Sequence, residues 1–384
     1  MSRNNTSVVL AERPKPKIIP GKTFAKKVQP APTEADLKDG QILAETLYIG
    51  LDPAMRGWLN GELQQTANTI TLNQPQTKYT AKKRESKNPP DARSYVPPVQ
   101  IDEVMRAAAV CRVLASRSKL AKRGDLVSGM PGWQEISILS EKGPRSFDAP
   151  FAVPPNGRPT DMLGVLGMTG LTAYMGVKHV AAIKPGDTVV VSGAAGATGS
   201  VVGQMAKHVY GAGRVVGIAG GEDKCRWLVE ELGFDAAIDY KAPDFKKKFA
   251  EATKGFIDVY WDNVGGEILD LALARAKKHA RFVMCGGIST YNDSANEVRG
   301  PKNINMVIAM SIRMQGFIVF DYIKEYAQAR QDLAKWLQEG KIKRGETIVK
   351  GGMDVIEQTL VDLFNGVNKG KLLVEVKNPD SAKL

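Results

Sequence analysis

The sequence predicts an α/β fold, a doubly wound parallel sheet behind a mainly β portion, and three observations predict it. From about Pro159 short apolar strands alternate with helical stretches, the pattern of parallel strands joined by crossover helices. The first of these strands, Thr188-Val189-Val190-Val191-Ser192, shows no polar alternation, as expected where helices cover both faces of a sheet. Upstream, residues 1–60 mix Pro, Gly and short β-branched runs without helical periodicity, and the portion to about Val153 reads as mainly β.

Element by element, Ile42–Ile49 reads as a strand, and strand-like text resumes at Tyr95-Val96-Pro97-Pro98-Val99 and continues to about Val153. Between them residues 61–90 are rich in Gln, Asn, Thr and Lys and end in Asn88-Pro89-Pro90. With no apolar face, that stretch reads as a mobile surface insertion. After Thr188–Ser192 a glycine turn leads into a helix to about Tyr210. Next come a strand at Arg214–Ile218, a helix at about Glu222–Leu232 and a short strand at Ala236–Asp239. A charged helix at about Phe245–Thr253, a strand at Ile257–Trp261 and a helix after Gly266 follow. Arg281–Cys285 and Gly316–Phe320 read as two more apolar strands. Helices near Tyr326–Glu339 and Val355–Asn365 then precede a last strand, Lys371–Val376.

Composition narrows the function. With 384 residues, 43% hydrophobic and 24% charged, the chain has the makeup of a globular protein with a large core. No apolar run approaches the ~20 residues of a membrane span, and the first residues lack a signal-peptide core. Three cysteines (Cys111, Cys225, Cys285) suit a reducing compartment. With three histidines (His179, His208, His279) and no Cys-x-x-Cys or His-Glu-x-x-His, the expectation is a metal-free protein. Of the net charge of +12, +6 lies in residues 1–30 and +3 in residues 61–90. A basic arm and one polar segment with few aromatics predict a solvated surface, with no nucleic acid as partner.

The turn after Thr188–Ser192 reads Ser192-Gly193-Ala194-Ala195-Gly196-Ala197-Thr198-Gly199, a Gly-x-Gly-x-x-Gly pattern with Ala194 in the first place. Gly196 lets backbone approach a pyrophosphate, Gly199 lets the helix pack close to the strand, and the helix N-terminus offers free amides to phosphate. The next strand ends in Ala219-Gly220-Gly221, where an NAD site carries Asp or Glu. Small residues at Ala219 and Gly220, a cation at Lys224 and a phenol at Tyr240 suit a 2′-phosphate, hence NADP. The bland reading of Lys224 is an exposed helix lysine.

At this point a resemblance carries the reading further. The segments are Leu51-Asp52-Pro53-Ala54-Met55-Arg56-Gly57, Glu103-Val104-Met105-Arg106 and Leu166–Tyr174, then Asp262-Asn263-Val264-Gly265-Gly266, Cys285–Tyr291 and Asn368-Lys369-Gly370-Lys371. In that order they resemble the zinc-independent medium-chain reductases of the prostaglandin reductase, leukotriene B4 dehydrogenase and curcumin or alkenal double-bond reductase group. The resemblance implies a Rossmann domain at 159–345. It also implies a GroES-like mainly β domain at 1–158, completed by residues 346–384. The implied activity is NADP(H)-dependent reduction of an activated C=C bond in a small enone or enal.

Carried over motif by motif, Gly196, Ala197, Thr198 and Gly199 would cradle the pyrophosphate and Lys224, beside Gly220, the 2′-phosphate. Tyr240, Asn263, Cys285, Gly286, Gly287, Ile288, Ser289, Thr290, Tyr291, Phe317, Ile318, Val319 and Asn368 would line the rest of the groove. Met168 and Thr172 would lie near the nicotinamide. The bland readings are a core methionine, an Asx turn at Asn263 and buried strand residues at Phe317–Val319. Ala54 stands where the family usually has tyrosine, which enlarges the expected substrate pocket. Tyr291 is the first candidate to donate a hydrogen bond to a developing enolate, and Tyr95 the second. The competing functions are an NADPH quinone reductase and, in another class, a dinucleotide-binding interaction or RNA-binding protein. Gly316–Phe320 as a sheet edge predicts a homodimer. The expected location is the cytoplasm, with the peroxisome as alternative because Ala382-Lys383-Leu384 is related to Ser-Lys-Leu.

Overall fold

The computed structural model describes residues 3–60, 95–153, 156–293 and 298–378. The polar insertion 61–90 and the terminal Ala-Lys-Leu lie outside the described residues. The first part of the chain holds β1 (Asn4–Leu10), β2 (Phe24–Pro30) and β3 (Gln41–Leu51). After them come the short helix α1 (Met55–Trp58), β4 (Ala109–Ser116), β5 (Leu126–Gly129) and β6 (Ile136–Ser140). Strands β1 and β2 pair antiparallel, and β3 pairs antiparallel with both β4 and β6. A core that includes Phe24, Ile49, Met105, Trp133 and Leu139 fills this part.

The second part begins with α2 (Met168–Met175), β7 (Thr188–Val191), α3 (Ala197–Gln204), β8 (Arg214–Ala219) and α4 (Glu222–Arg226). It continues with β9 (Ala236–Asp239), α5 (Phe245–Ala252), β10 (Ile257–Asp262), α6 (Gly266–Ala274), β11 (Ala276–Met284), α7 (Met306–Ala309), β12 (Arg313–Gly316) and α8 (Tyr326–Gln338). The six strands lie in the order β12-β11-β10-β7-β8-β9, all parallel. Side chains alternate across the sheet, so Val189 and Val191 of β7 face a core shared with Leu171, Val202 and Leu333. Val190 points the other way, toward Phe249, Leu269 and Leu273. Each fully buried valine contributes about 1.5–3 kcal/mol, which explains why β7 carries no polar residue after Thr188.

The chain then returns to the first sheet. After β13 (Glu346–Lys350) and α9 (Ile356–Phe364), β14 (Lys371–Glu375) pairs parallel to β13 and antiparallel to β3. Three hydrogen bonds flank this return. Arg344 grips the buried Asp161 through Nε at 2.8 Å and Nη2 at 3.0 Å, and the Gly370 amide donates to the Ala195 carbonyl at 2.8 Å.

The structure corrects one strand. The apolar run Gly316–Phe320 is not a strand: β12 ends at Gly316, and Val319–Glu325 forms a 3-10 helix. A short apolar run satisfies a buried strand and a packed turn equally well, so local pattern does not separate them. Here the aromatics leave the sheet to find ring partners, Phe317 edge-on to Trp261 at 5.9 Å and Phe320 beside Tyr95 at 6.1 Å. The strand at the sheet's edge is therefore the more polar Arg313–Gly316. Strand β11 also starts earlier than its apolar text, at Ala276, with a register break against β10 between Ile257 and Val259.

Candidate functional site

The groove lies where the strand order reverses, between β7 and β10, the place at which doubly wound sheets bind ligands. Strand β7 ends in a tight turn in which Gly193 has a φ of +57° and accepts a bond from the Gly196 amide at 3.0 Å. Helix α3 starts at Ala197, so Ala197, Thr198 and Gly199 form its first turn, whose amides lack partners within the helix. A Cβ on Gly199 would sit 2.4 Å from the Gly193 carbonyl oxygen, so only glycine allows this approach of helix to turn. A Cβ on Gly196 would be 3.2 Å from the same oxygen and meet no other atom within 4 Å. These residues can hold a diphosphate.

Next to it, three ammonium groups converge. Lys224, from α4, donates to the Gly366 carbonyl at 2.5 Å. Burial lowers its pKa below the usual lysine value, and the charges of Lys241 and Lys369 lower it further. No carboxylate lies within ion-pair distance of any of the three among the described residues, so an added phosphate dianion would relieve their repulsion. Gly220 leaves room for the Tyr240 ring, which would lie 2.8 Å from a Cβ there. Lys241 in turn stands 5.9 Å over that ring. The sequence pattern singled out Lys224 and Tyr240 and passed over Lys241 and Lys369. Their signal was present, a cation right after the third strand and another inside Asn368-Lys369-Gly370-Lys371.

At the other end of the groove the turn after β10 is built on a buried carboxylate. Asp262 Oδ1 accepts from Ser192 Oγ at 2.9 Å, Tyr260 Oη at 3.1 Å and the amides of Val264 and Gly265 at 3.0 and 2.9 Å. Burial raises its pKa against these bonds, and Oδ2 has no partner among the described residues. Asn263 braces the same turn, donating through Nδ2 to the Ser192 carbonyl at 2.8 Å and accepting from Trp261 Nε1 at 3.0 Å. The carbonyls of this turn then hold the following loop. Cys285 and Gly286 donate to the Asp262 carbonyl, Ile288 to that of Asn263, and Ser289 to that of Val264. Burial, with Asp262 adding to it, pushes the Cys285 thiol up to about 12, which keeps it protonated at neutral pH. Ser289 Oγ donates to Val264 O at 2.6 Å and Thr290 Oγ1 to Gly287 O at 3.0 Å, so both hydroxyls are spent on the loop itself.

That loop delivers Tyr291, whose hydroxyl accepts from the Gly287 amide at 3.2 Å. Burial holds its pKa above the ordinary tyrosine value, opposed by the amide and reinforced by Cys285 and Asp262. From the β-rich part comes Tyr95, half exposed at its ring. Desolvation raises its pKa, the Trp58 indole opposes this, and Tyr291, Asp52 and Cys285 add to it. The Tyr95 ring packs beside Phe320, centroids 6.1 Å apart. Ala54 caps α1 and is half-buried. Met168 opens α2 with over a third of its surface exposed, its sulfur 3.8 Å from Tyr326 Oη, and Thr172 donates back to its carbonyl at 2.8 Å. Ile318 is extended and Val319 opens the 3-10 helix. The buried Asn368 donates to the Gly370 carbonyl at 2.6 Å, shaping the turn that touches Ala195. No group of three or more His, Cys, Asp or Glu side chains among the described residues could hold a metal ion.

A switch-point groove with a glycine turn, a lysine cluster and a second, mainly β domain defines a two-domain dinucleotide-binding oxidoreductase. Known proteins agree. A family described as "Zinc-binding dehydrogenase" matches residues 197–335, and one described as "N-terminal domain of oxidoreductase" matches residues 79–146. The chain belongs to the medium-chain dehydrogenase/reductase family, in its zinc-independent group. It is 39% identical over 381 residues to the putative NADP-dependent oxidoreductase YfmJ of Bacillus subtilis, covering 99% of this chain and 100% of that one. It is 35% identical to the NADPH-dependent curcumin reductase of Escherichia coli, covering 98% and 99%, and 34% identical to prostaglandin reductase 1 of Bos taurus, covering 88% and 90%. The crystal structure of CurA in complex with NADPH from Vibrio vulnificus superposes with a TM-score of 0.81 at 36% identity, covering 97% of this chain and all of that one.

Proposed function

We propose that this NADPH-dependent oxidoreductase reduces the C=C bond of α,β-unsaturated ketones or aldehydes. The observation that carries the reading is the pair of phenols at one end of a groove that fits a phosphorylated dinucleotide, Tyr291 with its hydroxyl on the Gly287 amide at 3.2 Å and Tyr95 from the other domain with its ring beside Phe320. The first-turn amides at Ala197, Thr198 and Gly199 hold the pyrophosphate, and Lys224, Lys241 and Lys369 hold the 2′-phosphate. NADPH, when bound, supplies the hydride. Tyr291 donates its O–H to the substrate carbonyl oxygen as negative charge builds there, with Tyr95 as second donor. Phe320 packs beside Tyr95, and Ala54 leaves space for a bulky β-substituent. The α-proton comes from solvent. Relatives named as curcumin and prostaglandin reductases support the same chemistry. A homodimer stays part of this proposal, although the apolar strand Gly316–Phe320 expected to form its edge is not a strand; β12 ends the parallel sheet among the described residues.

Two measurements test it. With deuterium at the transferable position of NADPH, the label is expected at the β-carbon of a saturated ketone product. Label on the carbonyl carbon of an allylic alcohol would overturn the assignment. Lys224→Ala is expected to raise the NADPH dissociation constant ~10–100-fold, the worth of a charge-assisted bond, with NADH binding nearly unchanged. Equal losses for the two cofactors, read by nucleotide fluorescence, would remove Lys224 from phosphate binding.

A further inference from the structure

Arg56 is a buried cation, 4% exposed, whose hydrogen bonds among the described residues all go to neutral oxygens. Its Nη1 donates to Asn60 Oδ1 at 2.6 Å and its Nη2 to the Pro16 carbonyl at 2.5 Å. Its Nε is shared between that carbonyl at 3.2 Å and Asn292 Oδ1 at 3.1 Å. Removing a guanidinium from water is costly, and here burial pulls its pKa below the usual arginine value. Lysine would not serve, because one ammonium cannot reach acceptors on three segments, whereas the planar fork of arginine can.

What the arginine reaches explains its place. Pro16 and Asn60 belong to its own domain, but Asn292 follows Tyr291 in the loop beyond β11. On the upstream side that loop is tied to the parallel sheet through Ile288 and Ser289, which donate to the Asn263 and Val264 carbonyls at 3.2 and 3.1 Å. On the downstream side it is held from across the cleft, by α1. Tyr291 thus sits between two anchors, one in each domain.

We propose that Arg56 is a positioning residue that aligns the Tyr291 hydroxyl by donating across the cleft to Asn292, so that the donor is set only when α1 is docked. The proposal rests on Tyr291 being the enolate donor. Its test is a set of steady-state measurements with an enone, together with NADPH binding and melting temperature. The variants are Arg56→Met, Asn292→Ala and Asn292→Asp, each alone and combined with Tyr291→Phe. Misplacement of a reacting group predicts that Arg56→Met lowers kcat ~10–100-fold with the NADPH dissociation constant unchanged. Asn292→Ala should lower kcat in the same sense, and Asn292→Asp, which keeps an acceptor, should restore it. Combined with Tyr291→Phe, both losses should shrink to about twofold or less, because residues acting through one group are not additive. Full losses in that background would make Arg56 merely structural and overturn the proposal. A normal kcat for Asn292→Ala would overturn it too. If Arg56→Met does not fold, the two Asn292 variants decide alone. Failure of the underlying reading is seen separately, as a normal kcat for Tyr291→Phe by itself.

Discussion

Tyr291→Phe is expected to lower kcat for an enone by ~10²-fold or more, the usual cost of deleting one donor to a developing oxyanion. The ring is kept, so packing against the 285–290 loop changes little. What is lost is one O–H, and the Gly287 amide loses its acceptor at 3.2 Å. NADPH binding should stay near normal, which separates this variant from a folding defect. The pH profile provides a second check. Burial raises the Tyr291 pKa, so the donating, protonated form persists through neutral pH and disappears only above the free tyrosine value of about 10. Activity should therefore fall on an alkaline limb above that value, and the limb should be absent from the residual rate of the variant. A near-normal kcat would transfer the role to Tyr95. An unchanged limb would assign it to another group.

Gly199→Ala is expected to weaken NADPH binding ~10–100-fold and to cost about 1–3 kcal/mol of stability, since an overpacked site is relieved only by moving its surroundings. The added carbon would lie 2.4 Å from the Gly193 carbonyl oxygen and 2.9 Å from Ala194 Cα, both of them backbone, so helix α3 or the turn has to shift. Gly196→Ala is the contrast. Its carbon would be 3.2 Å from the Gly193 oxygen with nothing else within 4 Å, so stability should fall less than for Gly199→Ala while NADPH binding drops. Melting temperature and cofactor titration on both variants separate the two effects. Equal binding by Gly199→Ala and the native protein would show that the turn does not cradle the pyrophosphate.

Much of the parallel domain was legible in the chain. Strands β7, β8, β9 and β10 and helices α5 and α8 carry their own periodicity or apolar runs, and the glycine turn announces itself between a strand and a helix. Strand β13 was not legible. Glu346-Thr347-Ile348-Val349-Lys350 is short and partly exposed, and it becomes a strand only by pairing with β14. The run Gly316–Phe320 misled for the opposite reason, since its apolar residues serve ring contacts at the cleft and not a sheet.

The same division holds for the site. Local sequence determined the residues whose role depends on near neighbours: Gly196 and Gly199 in the turn, Ala219 and Gly220 where an acid would otherwise stand, and Asp262 capping its own turn through Val264 and Gly265. Those contacts span a few residues, so spacing alone encodes them. Tertiary structure alone decided the convergence of Lys224 with Lys241 and Lys369, the meeting of Tyr95 with Phe320, and the grip of Arg56 on Asn292 across 236 residues of chain. Such contacts leave no periodic trace, because each side chain is placed by the packing of a different element, and only the assembly of elements distant in sequence brings them together.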